Sequence, residues 1–426
     1  SILSTGHFPG IWKLGKVIAL PKPGKDRRNP SSYRPITLLS HVGKLFERLL
    51  LRRVSPHILL RPEQFGFRSG HSTTLQLVRV MHHLADRSNA RQYTAAVFLD
   101  IEKAFDRVWH AGLIHKLLQN TDLQHAYVRL LGSYLEGRSF LVAVEGAKSS
   151  VRPVTAGVPQ GSVLAPVLYA LYTNDIPTLK GNLQAWEVDV KLALFADDSA
   201  YFSSSNVPSA AILRMQRLLD LLPQWLDRWR VAVNVGKTAA MLFGPVRTTV
   251  VPGQLSLRDA NVEFRSSVRY LGVHIDRSLR MTAHANKALA AARYARFLLR
   301  PVLASRLPVR TKLGIYKTYV RSRITYAAAA WYHLIPQVMR VKLQAQQNLA
   351  LRTIVGAGRY VSNAVIARDL DVESLEEFIR RLARNMYERA DGGPHEHLHK
   401  LAPLHARPPD YLALPRELLE PPAMVR

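Results

Sequence analysis

The chain has 426 residues, 59 Lys and Arg against 31 Asp and Glu, and a net charge of +28. With 47% hydrophobic residues it can bury a sizeable core in two or three domains, and its charge points to a polyanion such as nucleic acid, ahead of an acidic membrane surface. The absence of cysteine removes disulfides, thiol chemistry and every Cys-based zinc site.

In chain order, Ile11 to Leu20 reads as a strand that breaks at Pro21-Lys22-Pro23-Gly24 and returns through Tyr33-Arg34-Pro35-Ile36. Ser40 caps an expected helix through Leu50, and residues 72 to 87 carry helical periodicity. The apolar run Ala95-Ala96-Val97-Phe98-Leu99 ends on Asp100, and a helix is expected from Trp109 to Leu118. Residues 139 to 158 alternate like a hairpin around Glu145-Gly146, and Ser162 to Tyr172 is an apolar helix running through Pro166.

A second apolar run, Leu192 to Ala196, ends on Asp197-Asp198, and Ser199 to Phe202 leads away, which predicts a hairpin with an acidic tip. Residues 208 to 230 form an amphipathic helix interrupted by Pro223, followed by strands at Ala239 to Phe243 and Arg269 to Ile275. From Asn286 to Arg323 the chain is basic and lacks acids, with Arg293, Arg296 and Arg300 on one helical face opposite Ala291, Ala295 and Leu298. Beyond Asp371 acidic and basic residues mix in helical segments, and the Pro-rich stretch from Pro403 to Pro422 reads as a poorly ordered tail.

No 18-residue apolar run predicts a spanning helix, and Ser1-Ile2-Leu3-Ser4 does not begin a secretory signal. The first methionine is Met81, so the chain reads as a piece of a longer product.

An isolated Asp-Asp is most often a turn or a helix cap. Here two strand-like runs deliver Asp100, Asp197 and Asp198 toward one edge, a pattern suited to two divalent cations and in-line phosphoryl displacement. Gly236-Lys237-Thr238 is not a phosphate loop, because Val231 stands where the first glycine belongs. His395-Glu396-His397-Leu398-His399 is taken as a flexible histidine cluster rather than a metal site.

Asp100-Ile101-Glu102-Lys103-Ala104-Phe105-Asp106-Arg107-Val108-Trp109, then Ala156-Gly157-Val158-Pro159-Gln160-Gly161, then Phe195-Ala196-Asp197-Asp198 form an ordered set. Together they resemble reverse transcriptases of non-LTR retrotransposons. The Phe-Asp-Arg-Val-Trp-His wording, with Lys22-Pro23-Gly24-Lys25-Asp26 and Ser32-Tyr33-Arg34-Pro35-Ile36, is most similar to the Jockey clade.

The resemblance implies an α+β right-hand polymerase: fingers over 1–92, palm over 93–280 with interleaved finger elements, helical thumb over 281–370 and a C-terminal segment over 371–426. It implies RNA-directed DNA polymerase activity with two Mg²⁺ ions, or Mn²⁺ in their place. Asp100 and Asp197 match the metal-binding aspartates, Asp198 the adjacent carboxylate, and the Ile101 carbonyl would complete one metal shell. Lys22 and Arg34, with Lys25 a competitor, match the residues gripping triphosphate oxygens.

Phe105 matches the aromatic that excludes a 2′-hydroxyl. Gln160 matches the glutamine beside the incoming nucleotide, and Lys237 the lysine that protonates pyrophosphate. Tyr270-Leu271-Gly272 resembles the primer grip, and Arg293, Arg296 and Arg300 would follow the nucleic-acid backbone. Phe195 departs from the tyrosine of many relatives, outside the metal shell. The implied partners are template RNA, a DNA primer or nicked target and dNTPs, in nucleus and cytoplasm, with no membrane. No endonuclease is visible, so the chain alone is not expected to nick DNA. A catalytically inactive nucleic-acid-binding fragment and an intron maturase are the rival readings.

Overall fold

The structure is a computed structural model describing residues 2–22, 24, 26–29, 32–144, 146–180, 190–244, 252–408 and 410–419. Pro23, Lys25, Glu145 and Pro422 from the reading above lie outside the described residues.

Three sheets organise the chain. The first holds β1 (Leu14–Pro21), β2 (Tyr33–Leu38), β4 (Ser139–Val144), β5 (Ala147–Lys148) and β6 (Arg152–Pro153). β1 pairs antiparallel with β2 and parallel with β4, so residues 125 positions apart, such as Leu14 and Ser139, share one sheet. The expected 139–158 hairpin is therefore only part of the arrangement, since β4 also carries β6 beside β5.

The central sheet runs β10-β11-β9-β3-β8-β7, comprising β3 (Tyr93–Asp100), β7 (Lys191–Phe195), β8 (Asp198–Ser205), β9 (Ala239–Phe243), β10 (Leu255–Leu257) and β11 (Ala260–Phe264). Its middle strand, β3, is apolar at nearly every position because both of its faces are covered. Ala96 and Phe98 point into one core with Phe202, Met241 and Phe243, while Ala95, Val97 and Leu99 point into a second with Tyr201 and Leu242. Period-two alternation thus fixes the register, and a one-residue slip would exchange the two cores. Helices Pro208–Arg228, His110–Asn120 and His125–Leu135 contribute to the second core, and Thr73–Asn89 to the first.

Local chemistry sets the helix ends. Ser40 accepts a hydrogen bond from the Gly43 N–H at the start of helix His41–Val54, and Ser72 from the Leu75 N–H. The helix expected from Ser162 begins instead at Ala165. Pro166 lies in its first turn, where a missing N–H costs nothing, and Ser162 accepts from the Ala165 N–H. Pro223 does sit within helix Pro208–Arg228.

A third, two-stranded unit corrects the single strand expected over Arg269 to Ile275. β12 (Ser267–Tyr270) and β13 (Val273–Asp276) form a hairpin, because Leu271 (φ 45°) and Gly272 (φ 82°) both take the left-handed conformation of a two-residue turn.

The C-terminal portion is helical where helix is expected, and its Pro-rich stretch is the largest correction. Helix Leu375–Asp391 starts with a capping box between Ser374 and Glu377. Its Leu375, Ile379, Ala383 and Tyr387 join the first core, as do Leu398, Leu401 and Ala402 just before the expected tail and Leu418 within it. Arg407 pairs with Glu417 at 2.6 Å, and the Asn89 side chain both donates to the Leu412 carbonyl and accepts from its N–H. Among the described residues, Pro403, Pro408 and Pro415 punctuate a packed segment rather than a loose one. Among the described residues no helix is long and apolar enough to cross a membrane.

Candidate active site

The register of the central sheet brings the three acids together. Asp100, last residue of β3, stands opposite Asp198, first residue of β8, and Phe195 of β7 pairs with the same Asp198. Ala196 and Asp197 are left as a two-residue turn, with Ala196 at φ 58°. An alanine in that conformation is strained, so something must hold it.

The holding group is Gln64, which sequence reading missed. This side chain, 1% exposed, accepts hydrogen bonds on Oε1 from the N–H groups of Ala196 (3.1 Å) and Gly66 (2.8 Å). Flanking backbone bonds, Phe65 N–H to Leu194 O and Leu194 N–H to Glu63 O, add a short parallel rung to β7. Gly66 is obligatory, because a Cβ there would lie 2.2 Å from the Ala196 nitrogen. The only sequence signal was a glycine inside Gln64-Phe65-Gly66-Phe67, which marks a close backbone approach without naming its partner.

Asp100 is braced from the other side. Its carbonyl accepts from the Asn234 N–H (2.8 Å), and Thr238 Oγ1 accepts from its N–H (3.3 Å). Ile101 forms an isolated antiparallel bridge with Val233. The Lys237 ammonium lies 3.6 Å from the Asp100 carboxylate.

Crowding of like charges shows in the proton affinities. Burial raises the Asp197 carboxyl above its usual range and Asp100 adds to this, while the Arg34 guanidinium opposes it. Burial, Asp197 and Asp100 together push Asp198 up to about 6. Such a cluster gains by neutralisation, through protons or cations. Its all-oxygen donor set suits Mg²⁺ or Mn²⁺ rather than softer metals. Among the described residues no three His, Cys, Asp or Glu side chains are already closed into a metal cage.

Phe105 lies nearly flat on Tyr169, with ring centroids 4.8 Å apart, and meets the edge of Phe67 at 5.9 Å. Gln160 donates to the Asp106 carboxylate (2.9 Å), and its carbonyl accepts from the Thr37 N–H, fastening the Pro159-Gln160-Gly161 turn to β2. Glu47, another residue unread in sequence, is buried and accepts from the Val163 and Leu164 N–H groups behind that turn. Burial raises its carboxyl pKa despite those bonds. Arg34 projects from the exposed side of β2, and Lys22 follows β1 at the hairpin tip.

Tyr270 is buried behind Asp198, and Leu271-Gly272 forms the tip of the β12–β13 hairpin. On helix Thr282–Leu303, Arg293 and Arg300 are exposed and Arg296 is half-buried, its pKa lowered by burial and then by those two neighbours. The face opposite differs from expectation: Ala285, Ala288, Leu289 and Ala292 are buried, whereas Leu298 is exposed. Tyr294 and Phe297 also reach solvent, interleaving aromatics with the arginines. The histidines of the C-terminal segment are packed, not flexible. His397 Nε2 meets His71 Nε2 at 2.8 Å, and His395 Nε2 contacts the Ser69 carbonyl.

The model of the reverse transcriptase (RNA-dependent DNA polymerase) family matches residues 20–275. The RNA-directed DNA polymerase from mobile element jockey of Drosophila melanogaster is 36% identical over 407 residues, covering 94% of this chain and 44% of the relative. A probable RNA-directed DNA polymerase from transposon X-element of the same species is 35% identical over 429 residues, covering 98% of this chain and 46% of the relative. The chain thus spans less than half the length of these two relatives. Apo telomerase from Candida tropicalis aligns at 12% identity and a TM-score of 0.45, covering 92% of this chain and 64% of that one. Enzymes of the matched family use divalent metal ions. The chain belongs to the reverse transcriptase family and has its right-hand polymerase fold.

Proposed function

We propose that this chain is the polymerase core of a Jockey-like non-LTR retrotransposon protein, an RNA-directed DNA polymerase extending a DNA 3′ end on an RNA template. The observation that carries this is the register placing Asp100 opposite Asp198, with Asp197 in the adjoining turn. Asp100, Asp197, Asp198 and the Ile101 carbonyl would hold two Mg²⁺ ions. When bound, these supply activation of the primer hydroxyl and charge neutralisation at the triphosphate.

The protein's own groups do the rest. Lys22 as a point charge and Arg34 as a planar fork grip triphosphate oxygens. The Phe105 ring excludes a 2′-hydroxyl, and Gln160, tethered to Asp106, borders the nucleotide. Lys237, kept near by Asp100, delivers a proton to the departing pyrophosphate. Tyr270, Leu271 and Gly272 support the primer end, and Arg293, Arg296 and Arg300 contact phosphates.

The test is extension of a DNA primer on an RNA template by the purified chain with dNTPs and Mg²⁺. Extension is expected. Salt-sensitive binding by folded protein that adds no nucleotide would favour the inactive fragment instead.

A further inference from the structure

Phe67 combines an unfavourable backbone with a ring that burial does not explain. Its φ is 57°, in the left-handed region where glycine sits freely and a bulky side chain is strained. The residue is 53% exposed, so removal of apolar surface from water is not what keeps it there. Its ring meets Phe105 at 5.9 Å with planes at 88°, the edge-to-face geometry favoured by aromatic quadrupoles.

Phe105 needs such a neighbour. Its other ring contact is a stack on Tyr169, at 4.8 Å and 25°. A stack resists lifting of a ring but resists sliding only weakly. An edge pressed against the stacked ring blocks that slide. The backbone that delivers Phe67 is the segment whose Gln64 holds Ala196 and whose Gly66 packs on the Phe195–Ala196 peptide. One four-residue clip therefore touches both the acid-bearing turn and the ring beside it.

We propose that Phe67 is a positioning residue for sugar selection, locking the Phe105 ring in the place where it rejects a 2′-hydroxyl. This rests on the reading of Phe105 as the sugar gate. The left-handed backbone is kept because only that conformation turns the Phe67 ring toward Phe105 directly after the tight Gly66 contact. Phe67 touches no reacting atom; it acts through Phe105.

The experiment compares kcat/KM for a deoxynucleotide and the matching ribonucleotide on one RNA template–DNA primer. The proteins are wild type, Phe67→Gly, Phe67→Tyr, Phe105→Ala and the Phe67→Gly/Phe105→Ala double variant. Glycine suits the left-handed backbone, so Phe67→Gly is expected to fold, with Tm at or above wild type. Its deoxy-over-ribo ratio should fall by about tenfold, the scale of one aromatic contact, mainly through a lower KM for the ribonucleotide.

Phe67→Tyr should retain the ratio, and Phe67→Gly should change it no further once Phe105 is alanine. Equal loss for both sugars, or an independent loss in the double variant, would overturn the proposal. An unchanged ratio in Phe105→Ala would instead bring down the gate reading on which it stands. Should the glycine variant not fold, Phe67→Leu keeps the bulk without the aromatic edge and carries the same expectation.

Discussion

Two hairpins with two-residue turns flank the proposed primer terminus, and they are held in different ways. In the β12–β13 hairpin the turn is Leu271-Gly272, both residues at positive φ, with a glycine where the crowding is greatest. A Cβ on Gly272 would come 3.0 Å from the Tyr326 ring, whose hydroxyl donates to the Leu271 carbonyl. Gly272 supplies half of that turn at no steric cost, while Leu271 takes the left-handed conformation with its carbonyl held by Tyr326. In the β7–β8 hairpin Ala196 takes the positive φ without glycine's freedom, and Gln64, distant in sequence, holds it in place. The first hairpin is encoded in part by its own glycine; the second, with no glycine in its turn, is imposed by tertiary structure, as strain at a reactive site usually is.

The largest effect should come from the turn's own chemistry. Asp197→Asn removes a charged oxygen ligand and should lower primer extension by about 10³-fold or more, the several kcal/mol a metal clamp supplies. Asp198→Asn should be the better tolerated of the two adjacent changes. Gel-based extension rates at saturating Mg²⁺ compare them, and equal loss would end this division of labour.

Next come the changes that loosen the acid-bearing turn while sparing its acids. Gly66→Ala pushes a methyl group into the Ala196 backbone and should abolish extension unless the turn moves. Gln64→Ala strips the acceptor from two N–H groups and should cost about 2–4 kcal/mol of stability, measurable by urea unfolding. If Gln64→Ala unfolds like wild type and extends primers normally, Ala196 is not being held, and the contrast between the hairpins dissolves.

The raised Asp198 carboxyl gives a smaller, pH-dependent effect. Its folded pKa, about 6, lies above the ordinary carboxyl value of 3.8. The folded state therefore holds this proton more tightly, and the metal-free protein loses stability as pH rises from about 4 through 6. A cation must displace that proton, so the rise in Tm on adding Mg²⁺ should be larger at pH 7.5 than at pH 5.5. An equal rise at both values would show that Asp198 takes no part in binding the cation.

The difference between the hairpins also marks how far the sequence could be read. The acids were legible because Asp100 and Asp197 each follow an unbroken apolar run, with Asp198 adjoining, and pairing puts strand ends side by side. Leu271-Gly272 stands out in the sequence through its resemblance to a primer grip, although its two strands read as one. Gln64 and Glu47 were invisible, since a buried amide or carboxylate that serves distant backbone N–H groups leaves no local pattern. The C-terminal segment misled for a compositional reason. Leu398 and Leu418 reach the core from single 3₁₀ turns and Leu401 from irregular backbone, too short for any helical or strand period, and the prolines between them resemble a solvated tail. The arginine face of helix Thr282–Leu303 was placed nearly correctly, but its apolar side is set by small residues, Ala285, Ala288 and Ala292, that allow close packing. The larger Leu298 is left outside.

The smallest predicted effect is at the prop of the second hairpin. Tyr326→Phe keeps the ring that crowds Gly272 and removes only the hydrogen bond to the Leu271 carbonyl, a half-exposed interaction worth about 0.5–1.5 kcal/mol. The turn keeps its shape, because Gly272 and the four β12–β13 register pairs outweigh the strain at Leu271. Stability should therefore fall slightly, extension rate at saturating primer should hold, and any change should be confined to the KM for primer–template. A loss of kcat as large as that of Gln64→Ala would mean that this hairpin, too, is imposed from outside, with Tyr326 standing to Leu271 as Gln64 stands to Ala196.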